Sequence, residues 1–204
     1  MQTYEEEYFK SQRYGKKEVA IKELYLRFLK WAHADQGKGK SALDVGAALG
    51  YVVRLLEEFG YRSIGLEISQ HACQQSGLGN RMVQGNAENF VLAPCSFNLV
   101  TCFEVIEHLQ NPKAALGRFH EVLTHDGRLL LTTPTRFGSF VSRQDKYHPS
   151  VKSWREWVTL LDEVGFSECR HESYGMTPRI LGKYRVIMNP WPGPATHILV
   201  EATK

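Results

Sequence analysis

The stretch FEVIEHL, Phe103 to Leu109, gathers three side chains able to move protons or ligate a cation: Glu104, Glu107 and His108. On a helical turn the two acids share a face, and Glu104 and His108 lie four apart. All three follow the apolar run NLVTC, which places them at the end of a strand. A fourth candidate, His148, stands in DKYHPS, beyond the next apolar run RLLLTTP. Histidine titrates near neutral pH, so His108 and His148 are candidate general bases.

A second constellation lies upstream. LDVGAALGYVV, Leu43 to Val53, runs from an apolar strand pattern into Asp44, then glycines at 46 and 50, then a helical pattern. Glycines after a strand let the backbone turn sharply and approach a ligand closely. The dinucleotide pattern G-x-G-x-x-G requires glycine at 48 and 51, which hold Ala48 and Tyr51. No Lys-Ser/Thr pair follows, which excludes a P-loop. A looser G-x-G-x-G fits 46, 48 and 50, with alanine in the middle. Glu67 closes the run SIGLE, where a carboxylate can accept hydrogen bonds from both hydroxyls of a ribose. GNAENF, Gly85 to Phe90, follows a third strand pattern; Asn86, with the backbone of Ala87, can read an adenine edge.

These residues need a scaffold that brings strand ends together. The spacing predicts a helix through Ile21, Leu24, Tyr25, Phe28 and Leu29, then a polar loop, HADQGKGK. Strand SALDV, helix YVVRLLEEF, strand RSIGLEI, helix QHACQQSG, and strands RMVQG and FNLVTCF follow. Asn111-Pro112 opens a helix over KAALGRFHEVL, and Asp126-Gly127 turns the chain into RLLLTTP. Trp154, Trp157, Val158, Leu161 and Val164 mark one face of a last helix; FSECRHESY and THILVEAT are final strands with no helix between them. Alternation of strand and helix predicts an α/β, Rossmann-like, mostly parallel sheet with helices on both faces and a C-terminal antiparallel hairpin at its edge. Ligands of such sheets lie beyond the carboxyl ends of the strands, where the unusual residues stand.

Composition narrows the class. A chain of 204 residues with 43% hydrophobic and 23% charged residues suits one domain: a helical extension over 1–40 and a core over 41–204. The net charge of +3 does not by itself imply nucleic acid. The polar, acidic start lacks the character of a signal peptide, and no apolar run approaches membrane-spanning length. The scattered cysteines (73, 95, 102, 169) form no C-x-x-C pair, so reduced thiols and a cytoplasmic location are expected.

Taken together, Asp44, Gly46, Gly50, Glu67 and Asn86 resemble the class I S-adenosylmethionine-dependent methyltransferases, over roughly residues 41 to 202. The resemblance implies that the first acid and the glycine loop hold the methionine half of S-adenosylmethionine, the second acid the ribose, and the amide the adenine. It assigns Tyr51, Ile68, Ala87 and Phe103 to the same site. TCFEVIEHL with LLLTTP looks like the ubiquinone-type O-methyltransferase branch, which implies a small-molecule hydroxyl as acceptor. Glu-x-x-Glu-His with a later histidine also resembles the small-RNA 3′-terminal 2′-O-methyltransferases. That second likeness implies a divalent metal on Glu104, Glu107, His108 and His148, and RNA as the alternative acceptor. Arg179, Lys183 and Arg185, interleaved with Tyr184 and Trp191, are the candidate RNA contacts. Tyr4, Tyr8, Phe9 and Tyr14 are candidates to cap the pocket or pack on the sheet. A different class of answer is a partner protein that binds S-adenosylmethionine without turnover.

Overall fold

The computed structural model describes residues 14–142, 148–178, 184–187 and 195–204. Strands β1 (Ser41–Val45), β2 (Arg62–Glu67), β3 (Met82–Gln84), β4 (Phe97–Phe103) and β5 (Leu123–Pro134) form the parallel part of one sheet. β6 (Ser167–Pro178), β7 (Tyr184–Ile187) and β8 (His197–Thr203) complete it in antiparallel pairings. The order is β3-β2-β1-β4-β5-β8-β6-β7.

The two final strands read from the sequence, β6 and β8, pair antiparallel toward the edge of the sheet as expected. β8 inserts between β5 and β6, and β7 extends the far end of β6 within a stretch that reads as loop in the sequence. β8 is uniformly apolar over Ile198 to Val200, as a strand covered on both faces must be.

Local chemistry sets the helix starts. Helix α1 is Tyr14–Trp31, α2 Tyr51–Glu58, α3 Gln70–Gln75, α4 Pro112–Val122, α5 Arg136–Ser142 and α6 Trp154–Glu163. The Ser69 hydroxyl accepts the Ala72 N–H and caps α3. Asn111 caps α4 through the Ala114 N–H, with Pro112 in the first turn. Ser153 and Glu156 form a reciprocal capping box for α6. α5 lies in a segment that reads as loop in the sequence.

Both faces of the sheet are covered. On one, Phe28 and Leu29 of α1 and Val52, Leu55 and Leu56 of α2 pack with Leu99, Leu130 and Leu199. On the other, Leu116 and Phe119 of α4 and Trp157 and Leu161 of α6 pack with Val100, Leu129, Leu131 and Val200. The strand order reverses between β1 and β4, so a crevice opens at their carboxyl ends. No helix among the described residues is long and apolar enough to cross a membrane.

Candidate active site

Asp44 lies in β1, 3% exposed, and its Oδ1 accepts the Thr101 hydroxyl at 2.7 Å across the β1–β4 ladder. Burial lifts its carboxyl to about 7; the Thr101 hydrogen bond opposes this and the nearby Glu67 charge adds to it. After Asp44 the chain turns through Gly46 (φ 74°), Ala48 (φ 47°) and Gly50 (φ 76°). A Cβ at Gly46 would sit 2.2 Å from Val105, so only glycine lets the turn lie against the segment after β4. Ala48 takes the left-handed conformation despite its methyl group, and Glu67 holds it there.

Glu67 braces this turn. Its Oε2 accepts the Ala48 N–H at 2.8 Å and its Oε1 accepts the Ser69 N–H at 2.9 Å. Burial raises its pKa, offset in part by the N–H groups of Ser69, Ala48 and Ile68. Each carboxylate oxygen has two lone pairs, so each can still accept a ribose hydroxyl. Arg54 ties the same turn to the end of α3, donating to Leu49 O at 2.8 Å and Gly50 O at 3.2 Å, and also to Ser76 O. Tyr51 opens α2, behind the turn.

Asn86 lies past β3, and its Oδ1 accepts the Glu88 N–H at 2.9 Å. The acceptor half of the amide thus shapes a local turn, leaving the NH2 group as the half suited to an adenine acceptor. Ala87 is buried beside it. The Phe103 ring is stacked on Tyr25 at 4.9 Å and set edge-on to Phe28 at 5.5 Å. That ring belongs to the packing under α1.

The FEVIEHL stretch differs from its expected geometry. It is a 3-10 turn over Ile106–His108, not a helical turn from Phe103, and Glu104 takes a left-handed φ of 56°. The group of four therefore resolves into three plus one. Ligand atoms of Glu107, His108 and His148 all lie within 4.8 Å of one another. The two imidazole rings meet edge-to-face at 4.7 Å. The loop bearing His148 is tied down by Ser150, whose N–H donates to Glu107 O at 3.1 Å and whose hydroxyl donates to Leu109 O at 2.7 Å. Ser139 of α5 lies 3.2 Å from His148 Nδ1 and so orients the ring from behind.

Glu104 is not brought into that group. Its Oε1 accepts the Tyr174 hydroxyl at 3.3 Å, and its Oε2 lies 3.3 Å from His197 Nε2. Burial opposes its ionisation, yet the facing His197, with hydrogen bonds from His197, Thr132 and Tyr174, holds the carboxyl below the usual range. Glu107 goes the other way: burial first, then the charge of Glu104, pushes its pKa well up. Its Oε2 is buried and makes no hydrogen bond of normal length among the described residues; the Thr133 hydroxyl, likewise unpaired, lies near enough to work against the rise.

Tyr174, Thr132 and His197 are absent from the residues singled out in the sequence. The rule that site residues follow strands fails for β8, which runs antiparallel: its first residue, His197, pairs with the end of β5 at Pro134. A polar residue opening THILVEAT was the available signal. Arg179, Lys183, Trp191, Tyr4, Tyr8 and Phe9 lie outside the described residues, and only the backbone is described for Tyr14, Tyr184 and Arg185.

A sheet in this order, with acids at the ends of its first two strands around a glycine turn, defines a class I S-adenosylmethionine-dependent methyltransferase. Residues 11–173 match the methyltransferase domain family, and the chain belongs to it. It resembles the ubiquinone-type branch: the ubiquinone biosynthesis O-methyltransferase of Idiomarina loihiensis is 28% identical over 141 residues, 65% of this chain and 52% of that protein. The chain spans about half the length of such curated relatives. Among solved structures, an S-adenosylmethionine-dependent methyltransferase from Archaeoglobus fulgidus has a TM-score of 0.77 at 14% identity, covering 98% of this chain and 100% of that one. One from Thermotoga maritima, described as a possible histamine N-methyltransferase, has a TM-score of 0.71 at 20% identity, covering 95% of each chain.

Glu67→Ala is expected to weaken S-adenosylmethionine binding by roughly 1–3 kcal/mol, because both the ribose acceptor and the brace on Ala48 are lost. Calorimetric affinity equal to wild type would remove Glu67 from the site.

Proposed function

We propose that this enzyme methylates a hydroxyl oxygen of a small molecule, with a divalent metal held by Glu107, His108 and His148. The observation that carries this reading is the convergence of ligand atoms of Glu107, His108 and His148 within 4.8 Å of one another, with Glu107 Oε2 buried and short of a normal hydrogen bond. A buried carboxylate oxygen without a partner is costly, and a cation is the group that would satisfy it. Two imidazoles and one carboxylate, with Ser139 behind His148, suit zinc, manganese or iron in their ligand chemistry.

Bound S-adenosylmethionine supplies a methyl group already activated on a sulfonium sulfur. A bound divalent cation supplies Lewis acidity that makes a hydroxyl easier to deprotonate. The protein has to align the acceptor oxygen with the methyl group and let its proton leave. Asp44 and the turn from Gly46 to Gly50 would hold the methionine half, Glu67 and Ile68 the ribose, and Asn86 with Ala87 the adenine. The ubiquinone-type relatives support oxygen as the acceptor atom.

A chelator tests the metal. Turnover of hydroxylated aromatics should fall to background in chelator and return with manganese or zinc, while calorimetry shows S-adenosylmethionine still bound. Full turnover in chelator would exclude the metal.

A further inference from the structure

We propose that Glu104, fixed by His197 and Tyr174, is the carboxylate that meets the positive charge of the transferring methyl group, and that His197 is the positioning residue that aims it. The inference rests on the reading of the neighbouring strand ends as the S-adenosylmethionine site, and it takes Glu104 out of the metal group.

The backbone carries the first observation. Glu104 holds a left-handed conformation that residues with side chains rarely adopt, and its N–H is bound by both Thr132 O at 3.2 Å and Thr132 Oγ1 at 3.1 Å. The next residue, Val105, packs against the Gly46 turn, so Glu104 stands at the rim of the loop that would carry the methionine half. From this turn the side chain reaches Tyr174 of β6 and His197 of β8.

The side chain carries the second. Each oxygen has its own clamp, Tyr174 Oη on one and His197 Nε2 on the other. His197 is itself held, with Nδ1 2.8 Å from Thr196 Oγ1 and its ring stacked on Tyr174 at 5.2 Å. Tyr174 is fully buried against Phe28, so this frame is part of the core. The carboxylate at its end is not sealed: 32% of the Glu104 side-chain surface is accessible, against 15% for His197. The groups that face Glu104 are Cys102 of β4, Glu107 of the 3-10 turn, Thr132 of β5, Tyr174 of β6 and His197 of β8.

A rigid, open carboxylate here suits the reaction's charge movement. The acceptor oxygen's electron pair forms the new O–CH3 bond, the C–S bond breaks with its pair left on sulfur, and the acceptor's proton leaves to solvent water, so Glu104 stays ionised. Positive charge thus moves from sulfur through the methyl group toward the attacking oxygen, and an anion fixed beside that path stabilises it. His197 touches neither reactant; it sets the direction of Glu104.

The test needs no acceptor. The full chain, in chelator, is titrated calorimetrically with S-adenosylmethionine, which is cationic at sulfur, and with S-adenosylhomocysteine, which is neutral there. Glu104→Gln is expected to lower the preference for S-adenosylmethionine about five-fold. His197→Leu should lower it about three-fold or more. His197→Gln, whose amide nitrogen reaches the position of Nε2, should restore it to within about two-fold of wild type. S-adenosylhomocysteine affinity should stay near wild type throughout, which separates aim from folding. An unchanged preference in Glu104→Gln overturns the proposal, and that variant alone decides if His197→Leu does not fold. Equal behaviour of the leucine and glutamine variants at 197 overturns the positioning role. Wild-type protein that binds neither ligand overturns the cofactor site, and this inference with it.

Discussion

Glu107→Gln is expected to lower turnover by about 100-fold or more while S-adenosylmethionine binds as in wild type. The substitution is nearly isosteric and leaves the Ser150 N–H bond to the backbone oxygen of residue 107 intact, so the His148 loop keeps its anchor. What changes is the carboxylate beside His108 and His148. A neutral amide cannot replace a charged ligand, and the response of turnover to added manganese should disappear with it. Glu104→Gln should still bind manganese, because Glu104 is tied to Tyr174 and His197 instead. Calorimetric titration with manganese reads this directly. Equal loss of metal affinity in both variants would restore the four-residue site and remove the division drawn between them.

Asp44 gives the second large effect, in the pH dependence of stability. Its carboxyl is buried and lifted to about 7, whereas in the unfolded chain it titrates near 4. Between those values the folded state binds the extra proton. The contribution of Asp44 is therefore fully present below about pH 4 and is lost as pH rises through about 7. Three units correspond to roughly 4 kcal/mol, an upper figure for a group this buried. Urea unfolding of the ligand-free protein at pH 5.5 and pH 8 should show wild type losing stability relative to Asp44→Asn, which keeps the acceptor for Thr101 without the charge. Ligand binding should run the opposite way. An ionised Asp44 suits the ammonium group of the methionine half, so wild-type affinity for S-adenosylmethionine should rise across pH 7 and the asparagine variant should lack that rise. Parallel stability curves for the two proteins would mean that Asp44 is ionised at low pH like any surface aspartate.

The parallel half of the fold was legible because its signals are local. Helix caps at Ser69 and Asn111, the glycine turn at 46 to 50, and short apolar runs ending in acids each reveal one boundary. The topology then follows from alternation. Three features escaped that reading for physical reasons. The φ of Glu104 depends on Thr132, 28 residues away, so a helical turn is the natural local reading and the wrong one. β8 slots between β5 and β6 through non-local pairing that no neighbouring residue encodes. His197 and Tyr174 reach Glu104 only because antiparallel strands put a beginning and an end side by side. By contrast, Glu107, His108 and His148 converge across a sequence gap of forty residues, as their types suggested, with the serines at 139 and 150 as the unseen supports.

The most direct measurement follows the methyl group itself. The protein is incubated with S-adenosylmethionine carrying a 13C-labelled methyl group, manganese, and a mixture of catechol and a primary aromatic amine, and the products are read by 13C NMR. Oxygen methylation predicts a new signal in the aryl methoxy region, abolished by chelator and by Glu107→Gln. A signal in the N-methyl region, with catechol unchanged, would contradict the hydroxyl acceptor and move the reaction to nitrogen.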